Sequence, residues 1–279
     1  MLHNYHTHTT YCDGKDTVKT FVEEAIAKRF THLGFSSHAP VSGDLDFAIR
    51  EEEIPHYLKD IYEMKQAQQK VTLFAGLECD FIPGITQSFS YFKKEYALDY
   101  IIGGVHLVKP VNSNELWFID GSKRDTFDEG FYNLFDGHTQ KAVTRFWEQT
   151  FEMIETEKFD IIAHVDKIKM HNQGRFFSQE ENWYKKLVHH VLNLIERAGI
   201  IMEINSRGIY KGRCDTFYPS DYILLQAAKM DIPFVISGDA HKAEELGLLH
   251  AEAFEKLKSM EIRRMVYLEE GNWKDYVIL

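Results

Sequence analysis

Short apolar runs alternate with longer amphipathic segments along this chain, the pattern of βα units that pack helices against a parallel sheet. The runs predict strands at Leu2–His6, His32–Ser36, Val71–Leu77, Tyr100–Val105, Phe159–Ala163, Ile200–Ile204 and Pro233–Ser237. Between them, apolar residues recur at helical spacing. Thr17–Phe30 places Val18, Phe21, Val22, Ala25 and Ile26 on one face, and Glu51–Gln69 does the same with Ile54, Tyr57, Leu58, Ile61 and Tyr62. Ser88–Tyr96, His138–Lys158, Ser178–Arg197 and Ser220–Met230 read as further helices, the last with Ser220 as N-cap after Pro219.

Strict alternation of strands and helices suggests an α/β barrel. The tail Arg263–Leu268 offers at most a short strand with no clear helix after it, so a seven-stranded or distorted TIM-like barrel fits better than a closed eight-fold one. A doubly wound sheet is the alternative, but it spreads strand-end residues along an edge instead of around a ring. Residues 1–279 read as one barrel domain with a long insertion at about 107–137, rich in Asn, Asp, Gly and aromatics and expected to form a lid or wall.

Polar residues at the ends of the apolar runs change the picture from fold to chemistry. His6, His8, Asp13, His38, Glu78, His106, His164, Asp239 and His241 each stand at or just beyond such an end. If the strands lie side by side, these nine residues converge on one rim and form a multinuclear metal site. Side chains two apart on a strand share a face, so His6 and His8 act as a pincer on one ion. Neutral imidazoles suit Zn, Fe or Mn, and a carboxylate such as Glu78 can bridge two ions. Glu203 and Asn205, also two apart, are read as supporting partners of the ligands. His189 and His190, in mid-helix, are read as one core and one exposed position, and the aromatics Phe131, Tyr132 and Phe135 as packing.

Composition narrows the partners. Hydrophobic residues make up 44% of the chain, enough for a substantial core, and 32 Lys and Arg stand against 43 Asp and Glu, a formal charge of −11. That charge repels a nucleic-acid backbone, and no basic stripe overrides it, so neither nucleic acid nor membrane is an expected partner. No apolar run approaches the roughly 20 residues of a membrane span. The N-terminal MLHNYHTHTT lacks a basic region followed by an apolar stretch, which makes the cytoplasm the expected location. Cys12, Cys79 and Cys214 are isolated and odd in number, so they are read as reduced thiols.

Taken in order, HTHT, SSHAP, GLECDF, GGVH, AHVDK, EINSRG and SGDAH resemble the polymerase and histidinol phosphatase (PHP) superfamily, most closely its stand-alone histidinol-phosphate phosphatases. The resemblance runs from His6 to His241. It implies a distorted (β/α)7 barrel with three divalent ions at the C-terminal strand ends. Carried over by motif position, His6, His8, Glu78 and Asp239 hold the first ion, Glu78, His106 and His164 the second, and Asp13, His38 and His241 the third. Some relatives have His where this chain has Asp13.

The implied function is hydrolysis of L-histidinol phosphate to L-histidinol and phosphate in histidine biosynthesis. Three divalent cations outweigh the three carboxylates Asp13, Glu78 and Asp239 by an amount that a phosphomonoester dianion and one hydroxide cancel. A diester monoanion leaves positive charge uncompensated, so a small phosphomonoester is the expected substrate. Water attacks phosphorus directly, with no phosphoenzyme; Glu78 takes part as the bridge, and Asp239 or His241 protonates the leaving oxygen. Arg207 and Arg175, in loops after strands, are candidate phosphate forks. The amine and imidazole of histidinol call for carboxylates or aromatic faces, with Glu115, Trp117, Asp120, Asp125 and Asp128 as candidates. The alternatives are a PHP-type nuclease or phosphoesterase with another substrate and a non-catalytic metal-binding module; oligomeric state is left open.

Overall fold

The computed structural model describes residues 2–42, 46–111 and 113–277. Asn112, within the expected insertion, therefore lies outside the described residues. The strands are β1 (His3–Asn4), β2 (His32–Phe35), β3 (Thr72–Asp80), β4 (Tyr100–Gly104), β5 (Leu107–Val108), β6 (Trp117–Phe118), β7 (Ile161–Ile162), β8 (Ile201–Asn205), β9 (Phe234–Ser237), β10 (Arg264–Glu269) and β11 (Asn272–Val277). The helices are α1 (Val18–Ala27), α2 (Ile54–Ala67), α3 (Phe89–Glu95), α4 (Arg124–Phe135), α5 (Thr139–Thr156), α6 (Asn182–Ala198), α7 (Arg207–Tyr210), α8 (Asp221–Lys229) and α9 (His250–Ser259).

β1, β2, β3, β4, β7, β8 and β9 pair in that order, each parallel to the next. The ring closes just beyond β1 and β9. There the Thr7–Ala240 bridge is parallel, His8 N–H donates to Ala240 O at 2.8 Å, and Ala240 N–H donates to His6 O at 3.2 Å. The architecture is the expected distorted (β/α)7 barrel. The predicted tail strand is β10, which meets β9 in parallel through Met265 and Phe234 and turns back as antiparallel β11.

Both faces of the parallel strands are covered, as βα connections require. One face packs on the helices. α1 buries Val18, Phe21, Val22 and Ala25 after an N-cap in which Thr17 Oγ1 accepts from Thr20 N–H at 3.2 Å. α2 buries Ile54, Tyr57 and Ile61, whereas Tyr62, expected on that face, is 62% exposed. The other face lines the barrel, filled by Tyr5, Phe74, Tyr100, Ile102, Ile161, Ile201 and Val235 and plugged by Val266 and Leu268 of β10. Tyr100 sits among Gly34 and Gly76, where a Cβ would come within 2.4 and 2.7 Å of its ring end. Its hydroxyl donates to Tyr5 O at 2.5 Å and Phe35 O at 2.9 Å. Two barrel carbonyls thus find their donor in the interior, and glycine makes the room.

Two local readings are corrected. Ser220 does occupy the N-cap of α8, but its side chain caps nothing; its N–H instead donates to Asp166 Oδ2 at 2.9 Å. His189 and His190 are both exposed, His189 beside the Tyr222 hydroxyl and His190 against Phe151. The Leu107–Gly137 segment, expected as a lid or wall, contains the β5–β6 ribbon and α4. α4 packs Phe127, Phe131 and Phe135 around Trp117, with ring centroids 4.8, 6.3 and 5.2 Å away. Among the described residues no helix is long and apolar enough to cross a membrane.

Candidate metal centre

Glu78, near the C-terminal end of β3, is the hub of the site. Its Oε2 lies 3.0, 3.3 and 3.2 Å from His6 Nε2, His8 Nε2 and His38 Nδ1, and its Oε1 lies 3.4 and 3.1 Å from His106 Nε2 and His164 Nε2. Asp239 follows β9 and reaches His6, His8 and His241 at 3.8, 3.4 and 3.4 Å. Asp13, in the turn after His8, meets His241 Nε2 at 3.1 Å. All nine residues predicted at strand ends therefore gather on one rim.

Their donor atoms fall into overlapping groups able to hold a metal ion: His6, His8 and Glu78; His6, His164 and Asp239; Glu78, His106 and His164; and His8, Asp13, His38 and His241. A further group, His38, Asp80 and His106, was not anticipated from the sequence. Asp239 groups with His164 in addition to His6, and His8 joins the Asp13 group.

Carboxylates behind the rim orient the imidazoles. His6 Nδ1 donates to Glu203 Oε1 at 2.6 Å, and His106 Nδ1 donates to Asp80 Oδ1 at 2.6 Å, so each ring turns Nε2, the nitrogen an ion would take in place of a proton, toward Glu78. Glu203 is the partner expected from its place beside Asn205. Asp80 was missed, although its position two residues after Glu78 puts it on the same face of β3.

The backbone is strained where it delivers two of these side chains. His164 and Asp239 have φ of 24° and 49°, sparsely populated for residues with a Cβ. Glu203 Oε2 accepts the His164 N–H at 2.9 Å, while Arg207 Nη1 and the Tyr210 hydroxyl donate to Asp239 O at 2.6 and 3.2 Å. Gly104 keeps the space among His106, Glu78 and His164 open, since a Cβ there would lie 3.3–3.4 Å from all three.

The site carries a surplus of buried negative charge. Burial pushes His6 down, but Glu203, Glu78 and Asp239 outweigh it and raise it to about 10. His106 is likewise held down by burial yet lifted to about 10 by Asp80, Asp120 and Glu78. Burial, with His8 beside each and Arg207 at the latter, pushes His38 down to about 4 and His241 down to about 3. Burial disfavours the charged forms of Glu78 and Asp239 too, but the surrounding histidines, and at Asp239 also Arg207 and Lys167, hold both well below the usual carboxylate range.

The rim opens into a cavity of about 250 Å³. Arg207, Lys167 and Arg213 line it, as do Phe47, Phe118 and Asp120. Arg207 is partly engaged: it can only donate, so His241 Nδ1 accepts from its Nη1 at 2.8 Å. Arg175 is not brought to the cavity. Its guanidinium forks Asp128 at 2.7 Å through both Nη atoms, an ion pair that ties α4 to the loop after β7. Lys167 and Arg213 are the cations the sequence reading passed over. Of the acidic and aromatic candidates in the insertion only Asp120 arrives: Trp117 is 1% exposed in the α4 core, Glu115 and Asp125 face solvent, and Asp128 is spent on Arg175.

Fold and site together define a parallel α/β barrel with a histidine–carboxylate centre at its C-terminal rim. The chain belongs to the PHP domain family, which matches residues 4–207; Asp239 and His241 lie beyond that stretch. The histidinol-phosphatase of Bacillus subtilis (strain 168) is 26% identical over 265 residues, covering 89% of this chain and 96% of that protein. Two solved structures share the fold. A candidate histidinol phosphatase of Listeria monocytogenes matches with a TM-score of 0.79 at 22% identity over 90% of this chain and 99% of its own. The histidinol phosphate phosphatase of Lactococcus lactis subsp. lactis Il1403, complexed with zinc, L-histidinol and phosphate, matches with a TM-score of 0.68 at 16% identity over 98% of both chains.

Proposed function

We propose that this chain is a metal-dependent phosphomonoesterase that hydrolyses L-histidinol phosphate to L-histidinol and phosphate. One observation carries the reading: His6 Nε2, His8 Nε2, His38 Nδ1, Asp13 Oδ1 and Glu78 Oε2 are all buried without a hydrogen-bond partner, within groups whose atoms face one another. Buried polar atoms left without hydrogen bonds are costly, and so many imidazole nitrogens and carboxylate oxygens facing one another fit cations in place of protons. The matching relatives, named as histidinol-phosphatases, supply the substrate.

His6, His8, Glu78 and Asp239 would hold one ion, Glu78, His106 and His164 a second, and Asp13, His38 and His241 a third, each of them zinc, iron or manganese. Such ions, when bound, polarise phosphoryl oxygens and bring the pKa of water toward neutrality. Glu203 and Asp80 fix the His6 and His106 rings with Nε2 turned toward the position such an ion would take. With its Nε2 given to an ion, His241 would keep its proton on Nδ1, toward Asp239 O at 3.1 Å, and the Arg207 donor would have to leave that nitrogen. Arg207, with Nη1 still on Asp239 O, would then have the rest of its fork for phosphate oxygens beside Lys167 and Arg213.

The test is phosphate release from L-histidinol phosphate beside a panel of other phosphomonoesters. A clear preference for histidinol phosphate is expected; a flat profile would remove the substrate assignment and leave the reaction class.

A further inference from the structure

The residues that read the alcohol half of the substrate follow from the short stretch after β5. In Trp117–Asp120 the side chains alternate: Trp117 and Ile119 are 1% and 0% exposed in the core, while Phe118 and Asp120 line the cavity. Asp120 is held by one oxygen only. Its Oδ2 lies 3.2 Å from Lys167 Nζ, whereas its Oδ1 is buried and has no hydrogen-bond partner. An ionised carboxylate oxygen in that state fits a donor arriving with the ligand.

In the lining of the same cavity Phe118 stacks on Phe47, with centroids 6.1 Å apart and planes 26° from parallel. That spacing is too small to admit a ring between them, so the pair is a wall against which a flat group can lie. The two phenyl groups rest on a small apolar cluster of Val41, Ile82 and Leu107, separate from the main core.

We propose that Asp120 and the Phe47–Phe118 wall are the specificity-determining residues, Asp120 accepting from the ammonium of an amino-alcohol phosphate and the wall packing against its flat ring. The inference rests on the phosphomonoesterase reading and gives that site its selectivity for a cationic, ring-bearing alcohol. In Asp120→Asn, Lys167 can only donate, so the amide oxygen stays with Lys167 and the NH2 group replaces the free acceptor. An acceptor becomes a donor at the position that meets the ammonium.

The experiment compares kcat/KM for L-histidinol phosphate and phenyl phosphate in wild type, Asp120→Asn and Phe118→Leu, with metal content measured on each sample. Asp120→Asn should lower the ratio of the two values at least tenfold, about 1.4 kcal/mol, through KM for histidinol phosphate and with metal content retained. Phe118→Leu should lower the catalytic efficiency on both esters. Calorimetric titration of L-histidinol onto the metal-loaded protein gives a readout free of hydrolysis: its Kd should rise at least tenfold in Asp120→Asn, while that of inorganic phosphate rises by less than about threefold. An unchanged ratio with unchanged L-histidinol affinity overturns the role of Asp120, as does an equal loss on both esters with loss of metal. Wild-type protein that releases phosphate from neither ester contradicts the phosphomonoesterase reading instead, and the L-histidinol titration then decides the role of Asp120 alone.

Discussion

Replacing Glu203 with glutamine should weaken the metal centre without touching any residue that faces the cavity. The Glu203 carboxylate has three donors around it: His6 Nδ1 at 2.6 Å on Oε1, and the His164 N–H at 2.9 Å and Asn205 Nδ2 at 3.0 Å on Oε2. A glutamine has one acceptor oxygen for them. With its NH2 toward His6, the imidazole must accept at Nδ1 and carry its proton on Nε2, the nitrogen now free for an ion. With its NH2 turned the other way, it meets two donors and releases the His164 backbone held at φ 24°. Either outcome should cost about 10–100-fold in affinity for an ion at His6, roughly 1.4–2.7 kcal/mol. The assay is competition against a chromophoric chelator, with thermal unfolding of the metal-free variant as a control for the fold. Affinity within about twofold of wild type, in a variant that still folds, would refute the orienting role.

Tyr100→Phe leaves Tyr5 O and Phe35 O without their interior donor, at a cost of about 1–3 kcal/mol, visible as a lower urea midpoint with an unchanged slope. Acid should destabilise the barrel floor, where burial and His250 push His3 down to about 3, and burial with Lys28 pushes His250 down to about 4. Both are neutral in the fold and take up protons on unfolding, so full stability holds above 6.5 and is lost progressively as pH falls from 6.5 toward 3 to 4, by up to about 1.4 kcal/mol per pH unit for each group. His3→Phe should flatten the fall in unfolding free energy between pH 6.5 and 4.5; an identical slope would show that His3 protonates in the folded state. Stripping the metals with a chelator should abolish phosphate release and lower Tm, since ligand at 100 times its Kd stabilises by about 2.7 kcal/mol per site.

The barrel was readable because each parallel strand is buried on both faces and so leaves a continuous apolar run, as in Tyr100–Gly104 and Phe234–Ser237. The segments that escaped have weaker periodicity. α4 has its buried Phe127, Phe131 and Phe135 at intervals of four, blurred by Gly130, an exposed Tyr132 and a run of charged residues, and β11 is mostly exposed, with a partner supplied by its neighbour β10. At the site, position at a strand end marks which side chains reach the rim, but not what stands behind or across from them. Asp80 could have been found from its register with Glu78. Phe47, Lys167 and Arg213 could not, since they arrive from loops whose course the apolar pattern leaves unspecified. Arg175 misled for the same reason: a loop arginine near a strand end is as free to pair with Asp128 as to face a phosphate.

Everything proposed for catalysis passes through Glu78, whose two oxygens meet five imidazoles. The decisive measurement is therefore metal equivalents and phosphate release from L-histidinol phosphate on the same samples of wild type and Glu78→Gln. Glu78→Gln should lose at least one ion and roughly a hundredfold or more in rate, because one carboxylate serves two groups of ligands. Full metal content with an unchanged rate would contradict it.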